Sequence, residues 1–228
     1  MAETIHIGIL LFPNVTQLDA TGPAQVLCRV PGAKLHMIWK TLDPVPTDAG
    51  FAIVPTTTFA DCPQLDVICV PGGGGQIQLM TDPETLAFLR QQATGARYVT
   101  SVCTGSLVLG AAGLLKGYRS ACHWAGLDLL KDFGAIPVAE RVVRDRNRIS
   151  GGGVTAGIDF GLTLAAELAG EEVARSIQLM LEYDPQPPFD SGSPEKAGVE
   201  RVQRIRERMA PMLESRRKAN AEAAARMA

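Results

Sequence analysis

The sequence has few histidines, and its cysteines and histidines have none of the spacings that are usual in metal sites. It contains no C-x-x-C pair and no H-E-x-x-H helix, and only three histidines occur. The five cysteines form an odd set without the paired spacing of a disulfide framework: Cys28, Cys62, Cys69, Cys103 and Cys122. We therefore expect neither a metal site nor a disulfide framework. Free thiols fit a reducing cytoplasm, which is the predicted location.

The sequence also lacks an excess of charge and long apolar runs. The 22 Lys and Arg residues nearly balance the 24 Asp and Glu residues, so that the net charge is −2. Nothing in this balance indicates a nucleic-acid partner. Glycine, threonine or a charged residue interrupts every apolar run well short of the ~18 residues that a membrane helix needs. Glu3 stands where a signal peptide would be basic, so we expect no secretion signal and no membrane contact.

Strand-like and helix-like segments alternate along the chain. Strands are predicted at 5–11, 34–41, 51–59, 65–70 and 97–103, with one or two more at 138–150. Helices are predicted at 21–30, 82–96, 104–115, 124–133, 151–168 and 171–183. This order predicts an α/β domain over residues 1–184, with a mostly parallel sheet flanked by helices on both faces.

A Pro/Gly/Ser-rich linker is predicted at 185–194 and a helical extension at 195–228. An apolar stripe runs along this helix from Val199 to Met212, and its many Lys and Arg residues are typical of a solvated face. Pro211 should kink or break the helix, and its Ala-rich end should fray. The stripe needs a cover, either the domain itself or a second copy of the chain, and we expect a homodimer.

Cys103 is the strongest candidate for chemistry, because its segment lies between a strand and a helix. Small residues at Ser101 and Gly105 allow a sharp turn that would present the thiol at the sheet edge, as a nucleophile elbow does. The helix N-terminus would lower the pKa of this thiol. The alternative is a small buried residue at a strand end. Cys28 and Cys69 are expected in the core, and the other two cysteines are left unassigned.

Two further segments should reach the same edge of the sheet. Gly72 and Gly73 follow a strand and could direct backbone N–H groups at a developing anion, although a flexible turn is the alternative. Asp19 is expected between the first strand and the first helix, where it could also be an ordinary helix cap. His123 could form a Cys–His dyad, but a structural histidine bonded to the backbone is the favoured interpretation.

Together these segments resemble the ThiJ/PfpI superfamily, and within it the isocyanide hydratases. The segments that carry the resemblance are LLFPNVTQLDATGP, LDVICVPGGGG, RYVTSVCTGSLVLGAAGLL, HWAG, GGGVTAGIDFGLTLAAELA and LEYDPQPPFDSGSP, with the charged helical tail. The resemblance implies a flavodoxin-like sandwich, a homodimer, a small-molecule isocyanide substrate and no cofactor. It also implies a nucleophile at Cys103, an acidic partner at Asp19, a threonine needed for hydration at Thr104, and Val154 packed near the site.

Departures from other branches of the superfamily argue against a protease or a glutaminase. Glutamine amidotransferases have glycine where Ser101 stands, and PfpI-type proteases have histidine where Thr104 stands. Two alternatives stay open. One is the ligand-sensing domain of AraC-type regulators, which would need about 100 more residues for DNA binding. The other is a redox or glyoxal-handling protein with a reactive cysteine.

Overall fold

The structure is a computed structural model that describes residues 4–227, and a seven-stranded sheet forms its centre. The strands are β1 (Ile5–Leu10), β2 (Ala33–Trp39), β3 (Val45–Pro46), β4 (Ala52–Ile53), β5 (Thr57–Thr58), β6 (Val67–Val70), β7 (Tyr98–Val102), β8 (Arg119–Ser120), β9 (Ile136–Pro137), β10 (Val142–Asp145) and β11 (Arg148–Gly151). The helices are α1 (Gln17–Leu27), α2 (Gln76–Leu79), α3 (Pro83–Ala93), α4 (Gly105–Ala111), α5 (Ala156–Ala169), α6 (Glu171–Met180), α7 (Pro194–Ala197) and α8 (Val199–Ala225), with a 3₁₀ helix at Leu127–Phe133.

The main sheet has the strand order β10-β11-β7-β6-β1-β2-β5. Every neighbouring pair is parallel except β10 and β11, which are antiparallel. In the central register, Ile7 on β1 lies opposite Leu35 on one side and Val67 on the other. The predicted α/β fold with a mostly parallel sheet is confirmed.

Each face of the sheet carries its own apolar core. Ile7 and Ile9 of β1 face α1, α5 and α6, while Leu10 faces the opposite core with α3 and α4. All four residues of β6 are buried, as expected for a parallel strand covered on both sides. Helices therefore cover both faces, as the alternating pattern predicts.

Three loops meet at the carboxyl edge of this sheet. The strands β1, β6 and β7 are parallel neighbours, so their carboxyl ends lie side by side. The segments that leave these ends are the start of α1, the glycine loop at 72–75 and the turn at Cys103. In parallel α/β sheets this edge is where ligands bind.

The first helix begins earlier than predicted, at Gln17 rather than at residue 21. Asp48 holds its start, because its carboxylate accepts hydrogen bonds from Thr16 Oγ1 at 2.7 Å and from Gln17 N at 3.2 Å. Asp19 therefore lies in the first turn of α1 and not in the loop before it, and Pro23 lies in the interior of the helix. A capping group from a distant loop is invisible to local sequence patterns.

The C-terminal helix also differs from the prediction. It continues through Pro211 to Ala225, so a break at Pro211 is wrong, whereas a kink there stays a prediction. The predicted fraying is wrong as well, because one face of its last turns is buried against the domain: Leu213, Arg216, Asn220 and Ala223. Earlier in the same helix, Val199 remains 82% exposed.

Two smaller differences concern the middle of the chain. The edge strand expected at 51–59 consists of two short strands on either side of Pro55, which cannot donate to a ladder. The helix expected at 124–133 is a 3₁₀ helix over Leu127–Phe133.

Candidate active site

The turn at Cys103 has the geometry of a nucleophile elbow. Cys103 adopts φ +57°, a left-handed conformation that non-glycine residues seldom take. Its backbone N–H donates to Gly151 O at 3.0 Å, and Ser106 Oγ donates to its carbonyl at 3.2 Å. Gly105 allows the chain to turn, because a Cβ there would lie 1.9 Å from Val70 O. Such local strain is held in place by surrounding structure and clusters at functional sites.

Asp19 lies beside this thiol, completely buried. Its Oδ2 accepts a hydrogen bond from Gly72 N at 2.8 Å, and its charge acts on the nearby Cys103 thiol. Its Oδ1 is buried without a partner. Burial raises the pKa of this carboxyl from 3.8 to about 7, against the hydrogen bond from Gly72 N and the nearby Cys103 thiol, which lower it.

The thiol of Cys103 does not have the lowered pKa expected of a helix N-terminus. Burial raises its pKa well above 9.0, and the neighbouring Asp19 and Cys122 raise it further. The hydrogen bond of Thr104 N and the charge of Arg216 lower the pKa, but by less. Two acids in one dry pocket oppose a second negative charge, so Cys103 and Asp19 titrate as a coupled pair.

The glycine loop serves the site differently from the prediction. The amide of Gly72 already binds Asp19, and the amide of Gly73 donates to Thr104 Oγ1 at 3.2 Å. A Cβ on Gly72 would lie 2.6 Å from Thr104 N and Oγ1 and 2.9 Å from Asp19 Oδ2. Both N–H groups are engaged by side chains and are not free to stabilise an anion. The loop therefore positions Asp19 and Thr104.

His123 forms no hydrogen bond with Cys103 among the described residues. Its Nδ1 accepts from Ala125 N at 3.3 Å, which is the backbone-bonded arrangement favoured above. Burial, with the charge of Arg216, lowers its pKa to about 4. The imidazole is therefore neutral at pH 7 and unsuited to hold a thiolate as an ion pair.

A cavity of about 560 Å³ lies between the segments around Cys122 and Gly152, and neither Cys103 nor Asp19 is in its wall. Cys122, His123 and Val154 lie in its wall, and the segment around Ser193 and Arg206 of the tail forms another side. Val154 also packs against the apolar core that includes Cys103.

The remaining cysteines differ in their surroundings. Cys69 is buried in the core as expected, with a pKa raised to about 12, whereas Cys28 is exposed at the end of α1 and its predicted burial is wrong. Cys62 is half-buried, and Cys122 is buried beside the cavity. Leu27 takes the core position instead, because the helix starts earlier and ends before Cys28.

Three buried residues near the elbow were missed by sequence reasoning. They are Gln76, Cys122 and Arg216. For Arg216 a signal existed, since it stands at helical spacing from Leu213, Asn220 and Ala223, but an arginine in a charged tail is typical of a solvated face. No local signal marked Gln76.

Among residues 4–227, no three His, Cys, Asp or Glu side chains are grouped so that they could hold a metal ion. Across the same residues, no helix combines the length and hydropathy needed to cross a bilayer.

Comparisons with known proteins agree with this geometry. Residues 6–167 match the DJ-1/PfpI family model. The chain is 59% identical to an isonitrile hydratase of Pseudomonas putida over 223 residues, which cover 98% of each protein. It is 34% identical over 187 residues to the HTH-type transcriptional regulator GbdR of Pseudomonas aeruginosa, covering 78% of this chain but only 50% of the regulator.

A solved structure of the same family has the same fold. The crystal structure of a THiJ/PfpI family protein from Pseudomonas syringae superposes with a TM-score of 0.93 at 48% identity, over 96% of this chain and 91% of that one. The resemblance stated from the sequence is confirmed, and with the family model matched over most of its length this chain belongs to the DJ-1/PfpI family.

Proposed function

We propose that the protein is a hydro-lyase that adds water to an isocyanide, also called an isonitrile, and releases an N-formamide. The observation that carries the proposal is a fully buried Asp19 carboxyl, bound by Gly72 N at 2.8 Å, that lies near the thiol of the left-handed Cys103 turn. The relative from Pseudomonas putida, 59% identical over nearly the whole chain, supports the same substrate class.

The chemistry of an isocyanide explains why two such groups would stand together. The terminal carbon of R–N≡C accepts a nucleophile and a proton on the same atom. In the proposed first step the Cys103 sulfur forms a bond to this carbon while Asp19 delivers a proton to it. The product is a covalent thioimidate, R–N=CH–S–Cys103. One proton shared by the pair is sufficient for this step, whichever of the two groups holds it at the start.

Water would then resolve the intermediate. Its hydroxyl adds to the carbon, and its proton passes through the Asp19 carboxylate to the nitrogen. The C–S bond breaks as the C=O bond forms, and the hydroxyl proton returns to the Cys103–Asp19 pair. The net change is one water added. The side chains supply the nucleophile and both proton transfers, so the proposed mechanism uses no cofactor.

Thr104 is proposed to hold the attacking water. Its Oγ1 accepts from Gly73 N, which fixes the hydroxyl beside Asp19 and the elbow. Val154, in the cavity wall, is proposed to contact the R group. His123 would support the wall by its bond to the backbone rather than take part in proton transfer.

The direct test is turnover. Purified protein is incubated with one aryl and one alkyl isocyanide, and formamide is followed by chromatography across pH 6–9. Formation of formamide that is lost in Cys103→Ala supports the proposal. If the wild-type protein converts neither compound, the proposed reaction is wrong.

A ligand-sensing role is the second candidate, because the chain is similar to half of a transcriptional regulator. Salt-sensitive binding of the protein to duplex DNA near physiological ionic strength would favour this role. We expect no such binding. The described cysteines are all free, which fits the proposed cytoplasmic location.

A further inference from the structure

Arg216 is a buried charge on the C-terminal helix, with only 2% of its surface exposed. It lies in the part of the chain beyond the family match at residues 6–167. Its contacts are all with neutral groups: Nε donates to Gln76 Oε1 at 2.9 Å, and Nη2 lies 3.8 Å from Met212 Sδ. Nη1 is buried without a partner. A guanidinium stays charged in proteins, so its burial is costly unless a negative charge lies nearby.

The helix that carries Arg216 packs beside the two loops of the candidate site. The helix α8 packs against α2 and α4, which directly follow the glycine loop and the elbow. The position of Gly126 shows how close Arg216 lies to Cys122. A Cβ built there would lie 3.7 Å from Cys122 Sγ and 3.9 Å from Arg216 Cδ. Gln76, itself fully buried in the first position of α2, holds the guanidinium in this place.

We propose that Arg216 is the counter-charge of the Cys103–Asp19 pair and that Gln76 positions it. The inference rests on the proposed function, in which this pair carries one negative charge. The described hydrogen-bond partners of Arg216 are neutral, and the acidic groups whose charge acts on it are the thiols of Cys122 and Cys103. Each charge reduces the cost of burying the other, so Arg216 favours the reactive thiolate. Arg216 is a positioning residue, because it acts through Cys103.

The groups that face Cys103 set the direction of the effect. Asp19 from α1 and Cys122 from the segment before the 3₁₀ helix raise the pKa of the Cys103 thiol, and Arg216 from α8 lowers it. Arg216 also lowers the pKa of Cys122 and of His123. The tail of the chain therefore takes part in the electrostatics of the elbow.

The test measures the thiol directly and needs no isocyanide. The rate of iodoacetamide alkylation at Cys103 is followed by peptide mass spectrometry from pH 5 to 10 in wild type, Arg216→Met and Arg216→Lys. Arg216→Met should raise the pKa of Cys103 and so slow its alkylation about tenfold at a fixed pH, and Arg216→Lys should restore most of the rate. The matched control is Arg217→Met, because Arg217 is exposed on the same helix and pairs only with Glu214 at 3.9 Å.

A second variant keeps the test informative if Arg216→Met fails to fold. Gln76→Glu preserves the shape and places a carboxylate against Arg216 Nε, so it should also raise the pKa of Cys103. If neither variant moves the alkylation profile, Arg216 only anchors the helix and the proposal is overturned. That result would not contradict the proposed hydration of isocyanides by the wild type. Conversely, a protein that hydrates no isocyanide could still show the predicted shift.

Discussion

The buried carboxyl group of Asp19 lies near the Cys103 thiol, although the two residues belong to different crossovers of the sheet. The first turn of α1 carries the acid and the elbow after β7 carries the thiol. Gly72, between them, has no side chain to keep them apart. Most of the expected behaviour of the protein follows from this arrangement.

Cys103→Ala should abolish hydration while the fold remains. The elbow lies at the edge of the sheet, and alanine fits the same backbone at the cost of a small buried side chain. Activity and circular dichroism measure the two effects. Cys28→Ala is the matched control, because this thiol is exposed, and it should keep both activity and stability. Turnover by Cys103→Ala would remove the nucleophile from the mechanism.

Cys69→Ala should keep catalysis and lose stability, by about 1 kcal/mol, because it truncates a buried strand residue. Urea unfolding measures the loss. A large fall in turnover at unchanged thiol reactivity of Cys103 would contradict the assignment of Cys69 to the core.

Asp19→Asn should lose hydration by at least the ~10²-fold typical of removing a general acid. The same variant should be more stable than the wild type at pH 8. The folded-state pKa of Asp19 is raised from 3.8 to about 7, so the wild type loses stability as pH rises through this window. Asparagine keeps the hydrogen bond from Gly72 N and does not ionise.

Urea unfolding of both proteins at pH 5 and pH 8 checks this sign. The advantage of Asp19→Asn should grow between the two values and stay constant above pH 8. An advantage that shrinks as pH rises would mean that the buried carboxyl is stabilised as an anion. Near-normal hydration by the variant would reduce Asp19 to a structural residue.

His123 should make the protein less stable as pH falls. Its folded-state pKa is lowered to about 4 from 6.5, so the unfolded chain binds the proton more readily between these values. The stability contribution is complete above pH 6.5 and is lost progressively below it. His123→Gln, which cannot be protonated, should lose less stability than the wild type between pH 7 and pH 5. Parallel pH profiles of the two proteins in thermal unfolding would disprove this assignment.

Gly72→Ala should damage the site, because its Cβ would lie 2.6 Å from Thr104 and 2.9 Å from the Asp19 carboxyl. We expect a loss of hydration of about 10²-fold, as for a displaced catalytic group. Gly74→Ala is the matched control in the same loop, since its Cβ would meet only Asn14 Cβ at 4.0 Å. Equal activities of the two variants would show that the close approach at Gly72 is not needed.

The protein should be a homodimer in solution. The first turns of α8 expose apolar side chains, with Val199 82% and Ile205 38% accessible, which a monomer seldom leaves uncovered. Sedimentation should give twice the 24.3 kDa mass of the chain. Ile205→Glu should weaken the dimer and Arg217→Glu, on the exposed side of the packed half of the helix, should not. A monomer at micromolar concentration would contradict this expectation.

Local sequence patterns were sufficient to predict the architecture and the sharp turn at Cys103. Alternation of strands and helices predicts a covered parallel sheet, because each element must bury one apolar face. The elbow was readable because its requirements are local: small residues around Cys103, and Gly105 where β6 approaches. Asp19 was assigned to the correct edge for the same reason, since the carboxyl ends of parallel strands meet there.

The surroundings of the thiol depend on contacts between segments that are far apart in the sequence. Asp48, in a distant loop, binds the first residue of α1. Side chains accept the hydrogen bonds of the Gly72 and Gly73 amides. Arg216 is buried although its helix was predicted to have a solvated face. The direction of the Cys103 pKa shift followed from the same contacts, because burial outweighs the helix N-terminus. The burial of an atom and the charge around it depend on all of its neighbours. Because those neighbours come from distant parts of the sequence, no local pattern predicts them.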